Sequence, residues 1–341
     1  RTLILDEPTT GISSEQKELL FEALHEISQH DGMTVLIVSH KLEDVVALCN
    51  EVVVLRAGKV VGERQMPATT KQLVAMMFGE ELTVQTKEQQ AIKEKRNSDR
   101  EVVVLERVSL REKRLHIDNL SMRVYAGQII GLAGLDGSGQ ELVMRACVGL
   151  AKTHGGRVLV EGRDMTGKPY RYFKRCGIAF GASGRLEEGL VAGLTLTEHV
   201  ALATESGALI DWERARLHTE QQIQHYNVRG RPNSPIETLS GGNQQRMLMA
   251  LLPTQPKLLA LEQPTRGLDI DSAQWIWQQL LGRRDSGTSI MFSSPDLDEL
   301  VTYSDRILVF YAGHVMEISD AATTSIDELG RLIGGDYTEH R

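Results

Sequence analysis

Only three cysteines occur in 341 residues, Cys49, Cys147 and Cys176, and none shares a CxxC spacing. That excludes a disulfide framework and a thiolate metal knot, and leaves free thiols in a reducing compartment as the reading. Positive charge is also scarce, with 38 Lys and Arg against 46 Asp and Glu and a formal net charge of −8. Nucleic-acid binders concentrate Lys and Arg, so nucleic acid is not an expected partner. No run approaches the roughly 20 apolar residues that a membrane-spanning helix needs. The opening RTLILD reads as a strand rather than as a signal peptide, and it does not start with Met. A chain that opens in mid-strand is expected to continue a domain begun upstream. What is present is ordinary globular composition, 41% hydrophobic and 25% charged.

An internal repeat organises the chain. LILDEPTTGIS at residues 3–13 matches LLALEQPTRGLDI at 258–270. A helix-like stretch follows each, then an apolar strand, TVLIVSH at 34–40 or SIMFSSP at 289–295. Each copy continues with a helix (KLEDVVALCN; DLDELVTYSD), a strand (EVVVLRAG; RILVFYAG) and a Gly at 58 or 313. ATTKQLVAMMFG at 68–79 then answers ATTSIDELGRLIGG at 322–335. Thr34 against Ser289 gives the offset, 289 − 34 = 255. Short apolar β-branched runs alternating with helical patterns predict an α/β fold with a largely parallel sheet. The repeat predicts three parts: residues 1–82 as the C-terminal part of a first domain, 83–101 as a polar linker, and 102–341 as a complete second domain. Residues 2–6 and 34–39 are expected to be adjacent parallel strands.

The sharpest motif is LSGGNQQ at 239–245, leading into the helical run RMLMALL. Ser240 at an N-cap, with Gly241 and Gly242 behind it, lets backbone N–H groups approach an anion, and the helix dipole adds positive potential there. An ordinary Gly-rich turn would look similar; the apolar strand ending in EQPTRGLD downstream argues against that. Gly134, Gly137 and Gly139 in GLDGSGQE form a second Gly-rich turn between strand QIIGLA and helix ELVMRACVG, the context of a phosphate loop.

Together these motifs resemble the ATP-binding subunits of ABC importers that carry two nucleotide-binding domains in one chain, for simple sugars or nucleosides. The resemblance covers the whole chain. It implies a P-loop NTPase fold, with ATP and Mg²⁺ as cofactors. In the first copy, Asp6 would hold Mg²⁺, Glu7 would act as general base on the attacking water, and His40 would be the switch histidine at the γ-phosphate. Ser240, Gly241, Gly242 and Gln244 belong to the signature. In the second copy, Gln140 stands where the phosphate-loop Lys is expected and Glu141 where the Mg²⁺-binding Ser or Thr is expected. Glu262 replaces the Asp, Gln263 the catalytic Glu and Ser294 the switch His. Residues 182–185, ASGR, lack the expected Pro-Glu-Asp lead, and LERVSL at 105–110 lacks an adenine-stacking aromatic. A Gln cannot take a proton from water as a carboxylate can, so this copy is not expected to hydrolyse ATP.

The resemblance further implies a sandwich in which one domain's phosphate loop meets the other's signature, leaving one competent composite site and one degenerate site. Membrane-spanning permease subunits are the implied direct partners and an extracytoplasmic substrate-binding protein the indirect one. The implied location is the cytoplasmic face of the membrane, with a docking surface near residues 185–190 ahead of a helix starting at TLTE, 195–198. GLDGSGQ looks more like the nucleoside branch than the monosaccharide branch. Two rivals stay open at the level of sequence. One is a soluble twin-domain ATPase, which would be expected to keep two intact sites. The other is a non-catalytic remnant, which the losses in the second copy favour.

Overall fold

A computed structural model describes residues 2–6, 8–9, 14–30, 32–39, 42–56, 59–68, 73, 76, 100–112, 115–135, 137–204 and 209–335. The chain divides into two compact units, Arg1–Glu94 and Lys95–Arg341. Most of the expected linker and most of ATTKQLVAMMFG lie outside the described residues. The first strand of the second unit already begins at Glu101, the last residue assigned to that linker.

In the first unit, β1 (Thr2–Asp6) pairs in parallel with β2 (Thr34–Val38), Thr2 opposite Thr34 and Asp6 opposite Val38. The helices α1 (Ser14–His30) and α2 (Leu42–Leu48) follow these strands. β3 (Glu51–Arg56) and β4 (Lys59–Gln65) form an antiparallel hairpin. The sequence predicts a buried β1, yet its burial alternates and Ile4 is 65% exposed. A strand is buried on both faces only inside a covered sheet. Among the described residues of this unit, β1 and β2 make a sheet of two.

In the second unit the corresponding strand lies inside a covered sheet of its own. β5 (Glu101–Glu112), β6 (Leu115–Tyr125), β8 (Thr153–Val160) and β9 (Arg163–Asp164) form an antiparallel sheet in the order β6-β5-β8-β9. A second sheet has the order β10-β11-β12-β7-β13-β14. Its members are β7 (Ile129–Gly134), β10 (Ile178–Gly181), β11 (Leu258–Glu262), β12 (Ser289–Ser293), β13 (Arg306–Tyr311) and β14 (His314–Ile318). All neighbours in it are parallel except the β13–β14 hairpin.

Side chains alternate between the faces of a strand, and β11 shows the result. Leu259 and Leu261 enter one core, with Trp277 and Phe292, while Leu258 and Ala260 enter another, with Val143 and Phe310. Both faces are therefore apolar, as LLALE requires. The β13–β14 turn passes so close to β6 that a Cβ on Gly313 would sit 2.1 Å from the His116 carbonyl oxygen.

Helices α3 (Gln140–Cys147), α4 (Tyr170–Arg175), α5 (Leu196–Ala203), α6 (Trp212–His225), α7 (Gly241–Leu251), α8 (Ile270–Asp285), α9 (Leu297–Tyr303) and α10 (Ile326–Ile333) complete the unit. α5 starts at the expected place, with a capping box between Thr195 and Glu198. Trp277 is buried in α8, stacked on Tyr303 at 3.9 Å. Trp275, two residues earlier, lies on another side under Arg246.

The repeat is visible in the registers. β11 and β12 pair as β1 and β2 do, with Glu262 opposite Ser293 where the first unit has Asp6 opposite Val38. This corrects one assignment by a residue. Counting on from Val38 and Ser293, His40 corresponds to Pro295, not Ser294.

Candidate functional site

Parallel α/β sheets offer ligands the carboxyl ends of their strands. In the second unit that edge gathers the turn after β7, the end of β11 and the end of β12. Gly137 and Gly139 have φ of +81° and +121°, values that a side chain would strain, so the loop needs glycine at both. Gly139 also caps α3, and a Cβ there would meet Ile117 at 2.7 Å. Gly134 ends β7 against Phe310.

Gln140 does not reach out of this loop. Its side chain is buried, and its amide nitrogen donates to the carbonyl oxygens of Leu135 at 3.0 Å and Gly134 at 3.4 Å. Glu141 follows in the first turn of α3. The loop therefore keeps its shape through a neutral amide and brings a carboxylate where a cation would serve a polyphosphate.

Glu262, at the end of β11, is buried with 2% of its surface exposed. Arg145, from the next turn of α3, grips both its oxygens, Nε to Oε1 at 2.7 Å and Nη2 to Oε2 at 3.1 Å. The same Nη2 also donates to Glu188 Oε2 at 2.7 Å. Hydrogen bonding to Glu262 raises the Arg145 pKa further above its ordinary value, against the effect of burial. Gln263 follows with φ of 44° and its backbone N–H on the Ser293 carbonyl. Sequence reasoning passed over Arg145, although a lone cation in the apolar run ELVMRACV was the available signal.

The first unit shows less. Asp6 is exposed at the end of β1, suitable chemistry for a hard cation. Glu7 and His40 lie outside the described residues. Among the described residues, no group of three or more His, Cys, Asp or Glu could hold a metal, and no helix is long and apolar enough to cross a membrane.

Both units share a tie that the sequence did not announce. Thr9 Oγ1 donates to buried Asp44, which also pairs with Lys17. At the matching positions Thr265 Oγ1 donates to buried Glu299 Oε1 at 2.6 Å, and the Trp277 indole takes the place of the lysine. Burial pushes the Glu299 carboxyl up, against the hydrogen bonds it accepts.

At the signature, Ser240 is the N-cap of α7, but its hydroxyl makes no capping bond and instead accepts from Asn243 Nδ2 at 2.8 Å. Gly241 opens the helix, and Gly242 lies against Ser272, leaving little room for a side chain. Gln244 turns inward, donating to the Leu239 and Ile236 carbonyls at 3.0 and 3.4 Å. It shapes the turn rather than facing solvent. Residues Arg185–Gly189 form a single wide π-helical turn, the Gly189 N–H donating to the Gly184 carbonyl, and with Phe180, Val191 and Leu251 part of it lines a groove of about 660 Å³.

A family model described as ABC transporter matches residues 117–266. The chain is 31% identical to the nucleoside import ATP-binding protein of Lactococcus lactis, over 99% of this chain and 68% of that protein. It is 32% identical to the glucose import ATP-binding protein of Haloferax volcanii, over 98% and 63%. A ribose import ATP-binding protein of Bacillus cereus is 30% identical over 98% and 67%. The chain thus spans about two thirds of the length of these relatives. Among solved structures, an ATP-binding subunit of an ABC transporter aligns with a TM-score of 0.55 at 20% identity, covering 68% of this chain and 99% of that one. An ATP-binding cassette dimer bound to ADP and Pi aligns at 0.55 and 22%, covering 65% and 100%. At these identities the structures speak for the fold alone.

Proposed function

The chain belongs to the ATP-binding proteins of ABC transporters, and from that premise we propose that it serves ATP-driven import of a nucleoside or simple sugar. The observation that carries this reading is the asymmetry between the copies. Asp6, Glu7 and His40 of the first copy and LSGG of the second are retained, while the second copy carries Gln140, Glu262 and Gln263 at its own catalytic positions. The named import functions of the relatives favour this over a soluble twin-domain ATPase.

In this reading Asp6 would hold Mg²⁺, whose charge would offset that of the phosphates. Glu7 orients the attacking water and accepts its proton, and His40 donates to the γ-phosphate. Backbone N–H groups at Ser240–Gly242 serve the same ATP. The first copy's phosphate loop would lie in sequence upstream. The length of the relatives supports that. The second copy does not suit Mg²⁺, because both oxygens of Glu262 are already held by Arg145. Removing a unit charge about 4 Å from a phosphate, as Gln140 does, forfeits about 4 kcal/mol at an effective dielectric of 20.

On this reading the direct partner is a permease received by the groove beside Glu188 and Gly189, and the protein works at the cytoplasmic face of the membrane. An extracytoplasmic binding protein would deliver the substrate. The test is turnover in the intact transporter subunit. Glu7→Gln is expected to abolish phosphate release and Gln263→Ala to leave it nearly unchanged; equal effects would overturn the assignment.

A further inference from the structure

We propose that Arg145 takes the place of the divalent cation at the second unit's site, so that this site works without metal and is tied directly to the docking turn. The inference deepens the functional reading and rests on it for the identity of the Glu262 position and of the turn holding Glu188.

Three observations converge. Glu262 stands at the carboxyl end of β11, where the first copy has its metal-holding Asp6, and it is almost wholly buried. A carboxylate there needs a counter-charge, because isolated buried charge is costly. The Arg145 guanidinium supplies it with two donors to the two oxygens, the planar fork geometry that suits arginine and not lysine. Mg²⁺ demands oxygen ligands at about 2.0–2.1 Å in near-octahedral order. At Glu262 the guanidinium's charge and the burial of the carboxylate both oppose a dication.

The third observation concerns the remaining donor capacity. Arg145 Nη2 reaches Glu188 in the Arg185–Gly189 turn at 2.7 Å, and the Arg145 guanidinium lies 5.7 Å from the Phe180 ring at the end of β10. One side chain anchored in the helix behind the phosphate loop therefore links the end of β11 to the groove wall. A bound ion would come and go with nucleotide, whereas this cation is covalent and permanent. Arg145 acts as a positioning residue: it sets where Glu262 and Glu188 sit relative to each other.

The experiment is metal-directed cleavage of the whole 341-residue chain by Fe²⁺ with ascorbate and peroxide, with and without ATP, mapped by mass spectrometry. The wild type is expected to show no cut near residues 258–262. Arg145→Met, which keeps length and removes charge, is expected to gain one there, and Arg145→Met with Glu262→Gln to lose it again. Thermal unfolding accompanies this. Arg145→Met should lower Tm by on the order of 10 °C, as expected when one partner of a buried pair is removed, and the double variant should recover most of that. A wild-type cut at 258–262, or no cut in Arg145→Met, overturns the proposal. If Arg145→Met does not fold, the double variant decides: failure to recover stability overturns it as well. Cuts near residues 3–7 report on the first unit's metal separately, so failure here leaves the catalytic assignment standing.

Discussion

Replacing Thr265 by Val removes one hydroxyl and almost no volume, which makes it a clean probe of the tie to Glu299. Thr265 Oγ1 donates to Glu299 Oε1 at 2.6 Å, and the carboxyl is buried. A hydrogen bond to a charged acceptor is worth about 1.5–3 kcal/mol, so a loss of about 2 kcal/mol is expected at pH 7. The pH dependence has a definite sign. Burial already raises the folded-state pKa of Glu299 above its ordinary value, and losing a donor raises it further. A raised carboxyl penalises the folded state only where it must ionise. The penalty is therefore absent below the unfolded pKa of about 4.3, grows as pH rises from there to the raised folded value, and is constant above it. The Thr265→Val deficit should shrink toward that of a neutral bond, about 1 kcal/mol, near pH 4, and be largest above neutrality. All three tryptophans, Trp212, Trp275 and Trp277, lie in the second unit, and Trp277 itself donates to Glu299. Intrinsic fluorescence during urea titration therefore reports this unit alone. A deficit that stays constant from pH 4 to 8, or that grows on acidification, would refute the reasoning.

Two other outcomes are expected. Gly313→Ala places a Cβ 2.1 Å from a backbone oxygen at a φ of +85°, and should cost on the order of 2–4 kcal/mol, read as a lowered urea midpoint by the same fluorescence. Cys147 is fully buried and its thiol is pushed up to about 12, so thiolate-directed alkylation at pH 8 should spare it in the native chain and modify it after unfolding.

The α/β fold and the parallel β1–β2 pair were legible because LILD and TVLIV are apolar runs of strand length bounded by turn residues. The phosphate-loop turn and the α7 cap were legible for a similar reason, since glycines and a capping Ser have local conformational causes. Arg145 was not, because its role depends on which strand end lies beside the second turn of α3, a fact of sheet order rather than of spacing. The reach from Thr265 to Glu299 crosses 34 residues and escaped for the same reason. The switch position, Pro295 against His40, already follows from the offset of 255 between TVLIVSH and SIMFSSP, and the strand registers agree with it. Gln244 has the right position in the motif, but the backbone carbonyls that claim its amide are invisible in a string of letters.

The amide of Gln140 has a consequence for anything that approaches the phosphate loop. It behaves as a tethered competitor: it already occupies the Leu135 and Gly134 carbonyls from inside the same chain. A group held on so short a tether has an effective concentration in the millimolar range or above. A visiting molecule that must dislodge it to reshape the loop has to outbid that local concentration before its own contacts count. Weak visitors would leave the loop unchanged.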